Sequence, residues 1–156
     1  MFPYYKLVDR DEQFMREALQ LAGAGVAGVE VPVGAVVVIG GEIAGRGSNS
    51  PIARHDPTAH AEILAIREAA ARAANYRLTG ATLYCTLEPC VMCAGALVAA
   101  RIHRLVFGAR DLRFGGVRSK FQLADCDLLN HRVEIVEGVL GAECAALLRD
   151  FFQERR

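Results

Sequence analysis

The stretch Val33–Gly47, VGAVVVIGGEIAGRG, decides the fold. Val33 to Ile39 is dense in β-branched side chains, which crowd a helix but suit a pleated strand. Gly40-Gly41 follows, a pair that accepts the positive φ angles of a tight hairpin turn. Glu42 to Gly47 then returns as a second strand. Beyond the hairpin the chain alternates. Asp56-Pro57-Thr58 breaks it and offers Thr58 as the N-cap of a helix over about residues 59–74. Ala81 to Thr86 reads as a third strand, and residues 91–101 (VMCAGALVAAR) as a helix apolar nearly all round, hence buried on more than one side. Arg104 to Ala109 is a fourth strand, followed by a loop through about residue 120, and Val133 to Val136 a fifth. Upstream, Met15, Leu19, Ala22 and Val26 recur at helical spacing and predict a helix over about 10–27. Cys144, Leu147, Leu148, Phe151 and Phe152 mark a last amphipathic helix. An opening hairpin followed by alternating helices and strands predicts an α/β fold, with a five-stranded mixed sheet between two helical layers.

Composition bounds the rest. With 156 residues, 53% hydrophobic and 23% charged, the chain can bury a core, and residues 1–156 read as one domain, not a disordered segment. A formal net charge of zero excludes a global positive field. The balance is uneven, however. Residues 101–120 carry +5, from Arg101, Arg104, Arg110, Arg113, Arg118 and Lys120 against Asp111, whereas residues 121–156 carry −3 and residues 1–35 carry −2. Such a ridge suits docking a polyanion at one place, or is a solvated loop; charge alone does not choose. The near-continuous apolar run Val31–Ile39 is too short to span a bilayer, and the start, MFPYYKLVDR, is no secretory signal. A cytoplasmic protein without membrane contact is expected. Five cysteines, an odd number, argue against a disulfide framework, and Cys85, Cys126 and Cys144 read as small buried or half-buried thiols.

Two blocks carry chemistry. His60-Ala61-Glu62 opens the second helix and Pro89-Cys90-Val91-Met92-Cys93 opens the third, and such helix starts collect at one edge of an α/β sheet. Cys90 and Cys93 suit zinc because a two-residue gap lets both thiolates turn to one point, and the helix N-terminus favours their ionised forms. His60 adds a neutral nitrogen. Three protein ligands leave a fourth position open for water, the catalytic count. Glu62 could carry a proton from that water to a leaving group. Positions i and i+2 of a helix point about 200° apart, so His60 must stand at the helix start and not in its body. The rival is a closed structural zinc with His55 as fourth ligand, disfavoured because a domain with a large core has little need of a staple. A thioredoxin-like redox pair is weaker, since the surrounding βαβ pattern is missing.

His-x-Glu followed by Pro-Cys-x-x-Cys resembles the signature of the zinc-dependent nucleoside and nucleotide deaminases. The likeness runs from about residue 12 to residue 152. It includes Glu30–Ala35, Asn49 with Pro51-Ile52, His55–Glu62, Thr86–Ala96, Phe107–Asp111, Asn130–Glu134 and Glu143–Leu148 with Phe151-Phe152. The short blocks mark the superfamily; the longer runs resemble the bacterial tRNA-specific adenosine deaminases, which make inosine from a wobble adenosine. Leu112 to Lys120 departs from the usual loop of that family.

The resemblance implies a cytidine-deaminase-like three-layer α/β/α fold and hydrolytic deamination of adenosine in a tRNA anticodon stem-loop. It implies one Zn2+ per subunit on His60, Cys90 and Cys93, with zinc-activated hydroxide attacking C6 and Glu62 as the proton shuttle. Asn49 would hydrogen-bond the flipped base, the backbone at Val31 would line its pocket, and Asp111 would meet a neighbouring ribose 2′-OH. The basic stretch 101–120 would hold stem phosphates. Phe152 would lie near the RNA, although core packing explains it as well, just as turn stabilisation explains Asn49. Family members are homodimers, with the third helix at the interface. Two other functions compete: a deaminase of a free base or nucleotide of the guanine or cytosine type, and a non-catalytic, zinc-stabilised binding module.

Overall fold

A computed structural model of the protein describes residues 4–24 and 29–155, with side chains from Arg10 onward. The hairpin forms where the sequence predicts it. Strands β1 (Gly34–Ile39) and β2 (Glu42–Ser48) pair antiparallel across Gly40 and Gly41, whose φ angles are +60° and +81°. Strand β3 (Thr82–Leu87) pairs antiparallel with β1, then β4 (Arg104–Ala109) and β5 (Glu134–Glu137) follow in parallel. The order β2-β1-β3-β4-β5 makes a five-stranded mixed sheet among the described residues.

Side chains alternate across the sheet, so each face builds its own core. On one face Ala35, Val37, Leu83, Cys85, Leu105 and Phe107 meet helices α3 (Ala61–Ala73) and α4 (Val91–Ala99). On the other, Val36, Val38, Tyr84 and Val106 meet Met15 and Ala18 of α1 (Tyr4–Ala24) and Cys144 of α5 (Gly141–Gln153). Three layers result. At the β2–α3 seam the backbones touch: a Cβ on Gly47 would lie 2.0 Å from the Ala61 carbonyl oxygen, and one on Gly45 2.1 Å from that of Ala65. The stripe Ala61, Ala65 and Ala69 is the matching surface, which fixes how far the start of α3 stands from the sheet.

Three expectations need correction. Thr58 does not cap α3: its hydroxyl and amide both turn to Asp56 Oδ1, at 2.7 and 2.8 Å, and His60 stands at the cap with extended φ and ψ of −75° and 153°. A short helix, α2 (Pro51–Arg54), precedes this turn where the sequence reading has only loop; its Ile52 and Ala53 amides donate to buried Glu30. The first helix begins at Tyr4, earlier than expected, while Val26 and the rest of its predicted last turn lie outside the described residues.

Part of the basic ridge is structural. Arg104 crosses to the α1 face and grips Asp11 with two bonds of 2.7 and 2.6 Å, and Tyr84 donates to the same carboxylate at 2.7 Å. Arg110 pairs with Glu137 and Arg118 with Asp125. The acidic ends of the chain thus neutralise three of the six cations, leaving Arg113 and Lys120 exposed on the loop. A cleft of about 810 Å³ opens beside this Asp11–Tyr84–Arg104 knot, on the sheet face opposite α3 and α4, so the cleft and the candidate chemistry are separate.

Candidate metal centre and active site

The candidate metal site is built from two helix starts. His60 is the N-cap of α3 and Cys90 the N-cap of α4, both with extended backbone. At a cap the side chain is not committed to the helix surface. The three-residue step from Cys90 to Cys93 then returns the second sulfur to the same point. His60 Nδ1 lies 3.5 Å from Cys90 Sγ and 3.5 Å from Cys93 Sγ. All three donor atoms fall within 4.8 Å of one another.

That triangle is the right size for zinc. Tetrahedral bonds of about 2.3 Å to sulfur and 2.0–2.1 Å to nitrogen put N and S about 3.5 Å apart. The donor chemistry agrees. Cys93 shares a proton with Cys90, which holds the Cys90 thiol down to about 4 and pushes Cys93 up, burial adding to the latter. A divalent cation such as zinc would displace that proton and be held by both thiolates. Contact with Cys90 also raises His60. His55 is exposed at the left-handed C-cap of α2, outside this cluster, so among the described residues the set has three members.

Glu62 is 4% exposed, one residue into α3 beyond Ala61. Burial raises its pKa, opposed by its own amide, by Cys93 and by His60. Its carboxyl sits beside the thiols of Cys93 and Cys85. A buried acid beside a candidate metal-ligand sulfur, its pKa raised by burial, is suited to accept and return a proton.

The other candidate residues are spread around this point. Asn49 follows β2; its Nδ2 donates to the Val31 carbonyl at 3.1 Å and its amide to the Val33 carbonyl at 2.9 Å, joining two of the expected pocket residues. Asp111 lies in the loop after β4, where its Oδ1 accepts the Arg113 and Phe114 amides. Phe152 is 48% exposed on α5, edge-on to Phe151, which alone of the two is buried. Sequence reading gave Glu88 no role and Cys85 only that of a small buried thiol, which it is. The signal for Glu88 was an acid inside the apolar strand end that leads to Pro89-Cys90.

Comparison with known proteins decides the family. The model for the cytidine and deoxycytidylate deaminase zinc-binding region matches residues 8–109, more than half of the chain. A tRNA-specific adenosine deaminase from Haemophilus influenzae is 52% identical over 147 residues, 94% of this chain and 85% of its own length. The chain belongs to the tRNA-specific adenosine deaminase family. It is therefore an enzyme, which removes the reading as a non-catalytic module. A second relative of this deaminase, from Bacillus subtilis, is 46% identical over 94% of this chain and 91% of its own. A solved structure from work on A-to-I editing by tRNA:A34 deaminases superposes with a TM-score of 0.84 at 41% identity, covering 87% of this chain and 99% of that one. A guanine deaminase from Nitrosomonas europaea superposes at 0.78 with 26% identity, over 97% and 93%.

Proposed function

We propose that this chain, acting as one domain over residues 1–156, deaminates adenosine to inosine at the wobble position of a tRNA anticodon. His60, Cys90 and Cys93 hold one Zn2+ per subunit. Bound zinc supplies Lewis acidity that brings the pKa of a coordinated water toward ~7. Glu62 does the proton work: it accepts a proton from the attacking water, delivers it to N1 of adenine and serves the departing amine. Water enters at C6 and ammonia leaves. The observation that carries this reading is the approach of His60 Nδ1 to two thiols at 3.5 Å each, with a buried carboxyl beside one of those sulfurs.

Asn49 and the Val31 backbone hold the flipped base, Asp111 faces the neighbouring ribose with the oxygen its own loop does not use, and Phe152 offers an exposed ring to the RNA. An adenosine in a loop is unstacked at low cost, which suits a pocket that must surround a base. The chain works as a homodimer in the cytoplasm. Supporting the dimer, Val91, Gly95 and Ala99 form an exposed small apolar face on α4. No described helix is long and apolar enough to cross a membrane.

The likeness to the guanine deaminase keeps one second reading, a free-base deaminase with the same metal and acid. Ammonia release from an anticodon stem-loop, set beside release from guanine, cytosine and adenosine, separates the two. Turnover of the stem-loop alone supports the first; turnover of a free base refutes it. Glu62→Gln should retain zinc and lose about 10²–10⁴ in kcat, the usual span for a proton-transfer group.

A further inference from the structure

One carboxylate joins the loop after β4 to the turn that carries Cys90. Glu88 is 2% exposed. Its Oε1 accepts the Asp111 amide at 3.1 Å and the Ser119 hydroxyl. Its Oε2 accepts the amides of Val117, Arg118 and Ser119 at 3.1, 2.7 and 2.9 Å. Backbone ties run alongside: Glu88 N–H donates to Ala109 and Gly116 N–H to Pro89, both at 2.8 Å, and Cys90 bridges Gly115.

The approach is so close that the loop needs its glycines. A Cβ on Gly115 would lie 2.3 Å from Glu88 Oε2, and one on Gly116 2.8 Å from the Val91 amide nitrogen. The sequence between the anchored ends is different in kind. Leu112, Arg113 and Phe114 are exposed, so no core contact sets their direction. Their shape comes from the anchored ends and from Asp111 Oδ1. An apolar residue at position 88 would leave the buried amide of Val117 and the half-buried amides of Asp111, Arg118 and Ser119 without this acceptor, a costly outcome for donors shielded from water.

We propose that Glu88 is a positioning residue that locks the 111–119 loop onto the Cys90 turn, so that the exposed groups of the loop and the metal site present themselves to RNA as one rigid surface. This rests on the RNA reading above. Nucleotides flanking the target are then met by a surface already in its bound shape, and binding loses little freedom.

The test uses the zinc-loaded full chain and the variants Ser119→Ala, Glu88→Gln and Glu88→Ala. Zinc content, hydrogen exchange at the amides of residues 111 and 117–119, and kcat and KM on an anticodon stem-loop are read together. Glu88→Gln should speed exchange at these amides by about tenfold or more. KM for the RNA should rise about tenfold, while zinc content stays full and kcat falls much less than KM rises. Ser119→Ala, which removes one donor, should show a smaller change of the same kind. Glu88→Ala should show a larger one, and if it does not fold the other two decide. A Glu88→Gln protein that keeps KM at the parental value, or loses kcat or zinc with KM unchanged, overturns the proposal. Failure of the parent chain to turn over the RNA is a separate result against the substrate reading. In that case unchanged exchange in Glu88→Gln refutes the lock, and faster exchange sustains it.

Discussion

The β2–α3 seam gives the most direct test of how this fold sets its chemistry. Gly47→Ala would place a methyl group 2.0 Å from the Ala61 carbonyl oxygen and 2.9 Å from the Ala65 nitrogen. Ordinary contact begins at 3.4 Å, so the first turn of α3 must retreat by about 1.4 Å or β2 must yield by as much. Ala61 stands between His60 and Glu62, and metal sites tolerate errors of only about 0.2 Å in ligand distance. Gly45→Ala is the control, because it strikes Ala65 one turn further from the site, at 2.1 Å. Overpacking of this kind costs about 1–3 kcal/mol, equivalent to a fall of about 2–12 °C in melting temperature at this chain length. Thermal melting, zinc stoichiometry and turnover per zinc-loaded molecule are the measurements. Both variants should melt earlier, and by similar amounts. Gly47→Ala should also lose about 10–100-fold in zinc affinity, with Gly45→Ala close to parental. The reasoning fails if Gly47→Ala binds zinc like the parent, or if Gly45→Ala loses as much.

Other outcomes follow from the same structure. Arg104→Gln should cost about 3–5 kcal/mol, because it strands the buried Asp11 carboxylate, yet leave RNA affinity per folded molecule unchanged. Arg113→Gln should do the reverse, keeping the melting temperature and lowering the salt slope of RNA binding by about one. Burial and the Asp11 carboxylate raise the Tyr84 pKa above its ordinary value of 10.0, so its contribution to stability is complete below pH 10 and is lost as pH rises beyond it. Parental stability should therefore fall more steeply above pH 10 than that of Tyr84→Phe, by up to about 1.4 kcal/mol per pH unit; parallel denaturation curves would refute the assignment. Chelation should abolish turnover while circular dichroism still shows a cooperative melt, because two apolar clusters hold the sheet from either side; collapse of the fold on metal removal would contradict this.

Much of the architecture was written in local pattern. The valine run, the glycine pair and the apolar periodicities specify hairpin, strands and helices because each depends on residues a few positions apart. The candidate metal-ligand triad was readable for the same reason: Pro-Cys-x-x-Cys and His-x-Glu are short, and their chemistry restricts what they can be. Even the demand that His60 begin its helix came from helical geometry alone. The identity of the cap did not, since Thr58 has the right side chain and only the fold shows it spent on Asp56.

What the chain's order determined, then, is which elements form and which donors are available. Only the tertiary structure decided which charges remain free, since Arg104 and Asp11 are remote in sequence and meet through the sheet. It alone showed that His55 stands apart from the ligand cluster, that Glu62 is buried against a sulfur, and that Glu88 gathers a distant loop. The physical reason is one of range. Propensity and periodicity act over a few residues, whereas burial, ion pairing and pKa depend on neighbours that the topology of the sheet brings together.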